Sequence, residues 1–81
     1  MTRAIRLYEP RAVEVAVDGR GRPIQVDDVD VVHIREQWVV EDGWWTAEPI
    51  RRLYFELVLF DGRDLTVFRS LRTGLWFSQR A

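Results

Sequence analysis

The chain has no cysteine, no lysine and one histidine in its 81 residues. The missing cysteine excludes a disulfide framework, a thiolate metal site and a cysteine nucleophile together. It also fits a reducing compartment. His33 has no second His or Cys to join it, so an imidazole-based metal site has no ligand set. Asp27, Asp28 and Asp30 lack the ligand count and the glycine of a calcium loop and read as a solvated turn. No apolar run approaches the length of a membrane span, and the N-terminus has no apolar signal region. These absences point to a cytoplasmic protein that does not enter a membrane.

Catalytic signatures are missing as well. Ser70, Ser78 and Thr66 have no elbow-like glycine context, and no base is placed beside them by the sequence. Gly19 and Gly21 sit in a hairpin signal and do not join a strand to a helix, so they are not a phosphate loop. The expectation is a non-enzymatic protein with no cofactor and no metal.

What the chain does have is arginine, acid and aromatic rings. All twelve basic residues are arginine, set against thirteen acids for a net charge of −1. Residues 1–42 hold six arginines and nine acids, and residues 43–81 hold six and four. The second half is thus mildly basic, and all four tryptophans lie in it or just before it. Arginine offers a planar fork for carboxylate or phosphate and stacks on aromatic faces. With 47% apolar residues the composition supports a packed core, not a disordered chain. Eighty-one residues make a single β domain over 1–81, with residues 1–10 a loose arm or an extra edge strand.

The dominant period is two. Val13, Val15 and Val17 alternate on one side of a first strand. Asp18-Gly19-Arg20-Gly21 is a hairpin signal, with Pro23 at the start of the return through Ile24 and Val26. A longer strand over 31–41 places Val32, Ile34, Trp38 and Val40 on one side, interrupted by Glu36. Residues 51–60 are apolar on both faces and read as a central strand covered on both sides. Asp61-Gly62 is the clearest hairpin turn, leading to a partner strand over 65–69 and a last strand over 75–78. No helical period appears. Five or six short strands joined by glycine turns predict a small antiparallel barrel or a strongly twisted sheet, SH3-like in size and pattern.

Trp38 and Trp76 are expected in the core. Trp44 and Trp45 are adjacent, so on an extended segment they point in opposite directions and one of them faces solvent. An exposed tryptophan near Arg51, Arg52, Arg69 and Arg72 is the candidate contact site. It suits a protein partner that an indole anchors and guanidinium groups orient. It equally suits a single-stranded nucleic acid stacked on the same residues. A small ligand held near His33, Glu36 and Glu56 is a third reading. The slightly acidic net charge favours the protein partner. A homodimer through a sheet edge or an aromatic patch is a further arrangement open to so small a sheet.

The ordered set Trp38-Val39-Val40-Glu41-Asp42-Gly43-Trp44-Trp45, Arg52-Leu53-Tyr54-Phe55, Asp61-Gly62 and Val67 through Phe77 resembles a small uncharacterised bacterial domain. A similar arrangement closes the C-terminal region of ImuB-type proteins, the Y-family-polymerase-like factors of bacterial damage tolerance. The likeness spans most of residues 12–78 and rests on aromatics and turns. It implies a protein–protein contact role linked to DNA repair or translesion synthesis. No polymerase activity carries over, because the polymerase body is absent.

Overall fold

Alternating apolar residues and tight turns build an all-β structure. The computed structural model describes residues 10–43, 45, 47 and 49–79. Seven strands run in chain order: β1 (Arg11–Ala12), β2 (Val15–Val17), β3 (Pro23–Val26), β4 (Val29–Asp42), β5 (Ile50–Leu59), β6 (Asp64–Ser70) and β7 (Trp76–Gln79). All neighbours pair antiparallel in one sheet ordered β1-β7-β6-β5-β4-β3-β2. The sheet curls into a half-barrel, as the strand pattern predicts. The expected arm over residues 1–10 lies outside the described residues except for Pro10.

The expected first strand divides into two, which makes seven strands of six. Its halves, β1 and β2, sit at opposite ends of the sheet with only Val13 and Glu14 between them. The Val13 N–H donates to the Trp76 carbonyl on one side, and the Asp27 N–H donates to the Glu14 carbonyl on the other. One segment thus ties both ends of the curl. Val13 and Val15 pack on the core, but Val17 lies beyond a register shift and is exposed, so it does not share their environment.

The core lies on the inner, concave face. Val26, Phe55, Leu57, Leu59 and Val67 are buried there, with Ile34, Leu53, Leu65 and Trp76 packed around them. β5 is the middle strand, as its two apolar faces predict. On its outer face Tyr54 is buried between the rings of Trp38 on β4 and Phe68 on β6.

Turn chemistry sets the register. The Asp18 carboxylate accepts the Arg20 and Arg22 N–H groups, and the Asp61 carboxylate accepts that of Arg63. Asp27 and Asp28 both have positive φ, 48° and 71°, which gives the two-residue link from β3 to β4 the backbone of a hairpin turn that matches strand twist.

β4 departs from simple alternation. Val31 opposes Leu59 while His33 opposes Val58, and Ile34 opposes Leu57 while Glu36 opposes Glu56. Val32 and Arg35 are therefore extra residues in two bulges. The bulge at Arg35 turns Trp38 and Val40 away from the face of Ile34. The expected stripe of Val32, Ile34, Trp38 and Val40 is broken for this reason, and Trp38 is not a core residue.

Candidate functional site on the outer sheet face

Four strands bring one aromatic residue each into a row across the outer face. Trp38 opposes Tyr54, Tyr54 opposes Phe68, and Phe68 opposes Phe77. Trp38 and Tyr54 stack with centroids 5.3 Å apart and planes 9° apart. Tyr54 and Phe68 are 5.0 Å apart, and Phe68 and Phe77 are 5.2 Å apart. Directly opposed side chains of an antiparallel pair lie close enough for such contacts, and aromatic pairs contribute beyond the area they bury. Phe68 is 2% exposed and Tyr54 8%, so the rings seal one another. Trp38, at the open end of the row, is 38% exposed.

Arg52 lies over this row. Its guanidinium carbon is 4.3 Å from the Phe68 centroid, a cation–π arrangement. Its Nη1 donates to the Tyr54 hydroxyl at 3.2 Å, and that hydroxyl donates to Gln79 Oε1 at 3.0 Å. Among the described residues no carboxylate pairs with Arg52, whereas Arg11, Arg22, Arg35, Arg51 and Arg63 each have one.

Beside Arg52 a solvent-open cavity of about 350 Å³ is cut between β5, β6 and the turn into β7. Phe68, Phe77, Leu75 and Pro10 form its apolar walls, and Arg52, Ser70 and Thr73 its polar ones. Ser70 Oγ accepts the N–H groups of Arg72 and Thr73, both at 3.3 Å. Thr73 Oγ1 accepts that of Leu75 at 3.2 Å. The carbonyls of Ser70 and Leu75 accept from Gly74 and Ser70. One row further along the same outer face, Glu36 and Glu56 stand directly opposite each other. The face therefore runs from cation to rings to paired carboxylates.

The six contact residues expected from sequence are not gathered in one patch. Arg52 alone lines the cavity. Arg51 is engaged by Glu41 at 3.4 Å. Arg69 opposes Leu53 and Trp76, so it belongs to the inner face, at its exposed end. Arg72 is exposed in the turn between β6 and β7. Trp45 is 67% exposed between β4 and β5, and Trp44 lies outside the described residues. Trp76 packs on Phe55 at 5.7 Å, as a core residue should.

Trp38, Tyr54, Phe68, Phe77, Ser70 and Thr73 were not identified as contact residues by sequence reasoning. The register of the row was not readable from Asp61-Gly62 as a two-residue turn, which would set Tyr54 opposite Arg69. The loop is one residue longer, with the Leu59 N–H donating to the Arg63 carbonyl, and this sets Tyr54 opposite Phe68. Among the described residues no group of three or more His, Cys, Asp or Glu is placed to hold a metal ion, and no helix is long and apolar enough to cross a membrane. Comparison of the chain with protein-family models, curated proteins and solved structures returns no match.

Proposed function

We propose that this chain is a non-enzymatic protein-interaction module that receives its partner on the outer face of β4–β7. The observation that carries the reading is a second apolar cluster, whose middle rings are buried and whose ends, at Trp38 and Leu75, are exposed. The core cluster lies on the inner face, yet the outer face holds a four-ring row crowned by an arginine that pairs with no carboxylate among the described residues. Aromatic residues and arginine are the residue types that concentrate binding energy at protein interfaces. Exposed Leu75, beside Phe68 and Phe77, extends the apolar area beyond the row. An accessory role in bacterial DNA repair or translesion synthesis is the finer proposal, and it rests on the motif resemblance alone.

A single-stranded nucleic acid is the weaker reading. Base stacking needs open ring faces, and Tyr54 and Phe68 have none to offer. The opposed Glu36 and Glu56 also repel phosphate.

The test is a selection of displayed random peptides on the folded domain, with a labelled single-stranded oligonucleotide titrated in parallel at low and physiological salt. The reading expects enriched peptides that Arg52→Glu rejects, and no oligonucleotide binding. Oligonucleotide binding that weakens steeply with salt would replace it, because released counterions make that dependence the mark of phosphate contacts. Beyond Asp30 the other edge of β4 has no paired strand among the described residues. A rise in mass with concentration would show self-association, for which that edge is a candidate.

A further inference from the structure

Among the described residues, the polar side chains that line the cavity beside Arg52 have mainly donors left free. Arg52 spends one of its five N–H groups on Tyr54. Ser70 Oγ has both acceptor positions filled by backbone N–H groups, so its own hydrogen is what remains. Thr73 Oγ1 accepts from Leu75 and keeps its hydrogen. The nearby carbonyls of Ser70 and Leu75 are engaged. Among the described residues no carboxylate lines the space. Such a site selects an acceptor that carries negative charge.

Among the described residues Arg52 is the one arginine that lines the cavity, and one guanidinium matches a monoanion. The remaining walls are Phe68, Phe77, Leu75 and Pro10, which favour an apolar body over a strongly hydrated inorganic ion. The cavity is at the small end of ligand sites, which span roughly 300–1,000 Å³. One residue-sized group fills it.

The geometry points to a carboxylate-binding pocket that takes an aromatic or branched aliphatic group ending in a carboxylate. Arg52 grips the carboxylate with its fork, Ser70 and Thr73 donate to it, and the rings and Leu75 hold the apolar body. The choice of a peptide C-terminus as the natural source rests on the interaction reading above; a free organic acid shares the same chemistry.

The probe pair is N-acetyl-phenylalanine and its primary amide, titrated into the ¹⁵N-labelled domain by NMR. The acid is expected to bind with a dissociation constant on the order of 1 mM. It should move the Arg52 Nε–H signal and the backbone signals of residues 70–75. The amide, without charge, is expected to bind at least about tenfold more weakly. Arg52→Gln should abolish the difference between the two, and Arg52→Lys should restore part of it. If Arg52→Gln does not fold, the acid–amide comparison on the unaltered domain still decides.

Equal shifts from acid and amide, no shifts from either, or shifts from inorganic phosphate as strong as those from the acid would each overturn the proposal. A selected peptide that binds with a free C-terminus and not as its amide supports a chain terminus as the source. Equal affinity of peptide and simple acid supports a free acid. Peptides that bind while the acid is silent end this inference and leave the interaction reading standing. A bound acid with no selectable peptide does the reverse.

Discussion

Asp27 and Glu14 hold each other by two hydrogen bonds: the Asp27 carboxylate accepts the Glu14 N–H at 2.9 Å, and the Asp27 N–H donates to the Glu14 carbonyl at 2.8 Å. This reciprocal pair fixes the kink between β1 and β2, where the chain crosses from one end of the curled sheet to the other. Asp27 also has a φ of 48°, a region in which Asp is tolerated better than most residues. Replacement Asp27→Ala removes the acceptor and strains the backbone, and should cost roughly 2 kcal/mol in urea unfolding. Asp27→Gly removes the acceptor without the strain and should cost less. Equal losses would assign the effect to the carboxylate alone.

Core and surface apolar residues of similar type should differ sharply. Leu57 is fully buried at the middle of the central strand, and Leu57→Ala should cost about 2–5 kcal/mol. Phe60 follows the same strand but is 77% exposed, and Phe60→Ser should stay within about 0.5 kcal/mol. Chemical unfolding of both variants checks the inward and outward assignment of β5.

Tyr54 links Arg52 to Gln79 through its hydroxyl. Tyr54→Phe keeps the ring stack and removes both bonds, leaving Arg52 held only by Phe68. The expected loss is about 1 kcal/mol of stability. A loosened Arg52 should also weaken any carboxylate binding in the adjacent cavity.

Two turn carboxylates contribute to the acid response. Asp18 is held below its ordinary value of 3.8, first by the backbone N–H of Arg22 and then by that of Arg20. Asp61 is lowered from 3.8 chiefly by the backbone N–H of Arg63. A carboxyl whose folded pKa is depressed binds fewer protons folded than unfolded. Its stabilisation is therefore complete above the ordinary value and drains away as pH falls through the lower folded one. Unfolding measured from pH 5 downward should show stability declining below 3.8. Asp18→Asn and Asp61→Asn should flatten that decline.

The strand order was readable wherever a turn was explicit. Asp18-Gly19-Arg20-Gly21 and Asp61-Gly62 delivered their hairpins, and the two-sided apolar run of β5 marked the middle strand. Trp76 was legible as core because its strand is short and regular. Trp38 was not, because an unpaired residue at Arg35 reverses every side chain after it, and period-two counting has no way to register a bulge. Glu36 within the expected apolar stripe was the visible trace of that reversal. The division of the first strand was hidden for a different reason: it depends on Asp27 and Trp76, residues distant in sequence from Val13 and Glu14. The candidate site was read as a basic cluster near tryptophan. Adjacent arginines on a strand face opposite ways, so Arg51 and Arg52 separate, and only Arg52 reaches the aromatic row.

The outer aromatic face is the surface proposed to meet a partner. The most direct measurement follows the tryptophan indole N–H signals in ¹H–¹⁵N spectra while a display-selected peptide is added. Trp38, stacked at the open end of the row, should shift strongly, while Trp76, packed against Phe55 on the inner face, should stay in place. A bound peptide that leaves Trp38 unmoved would contradict the account and place the contact elsewhere on the sheet.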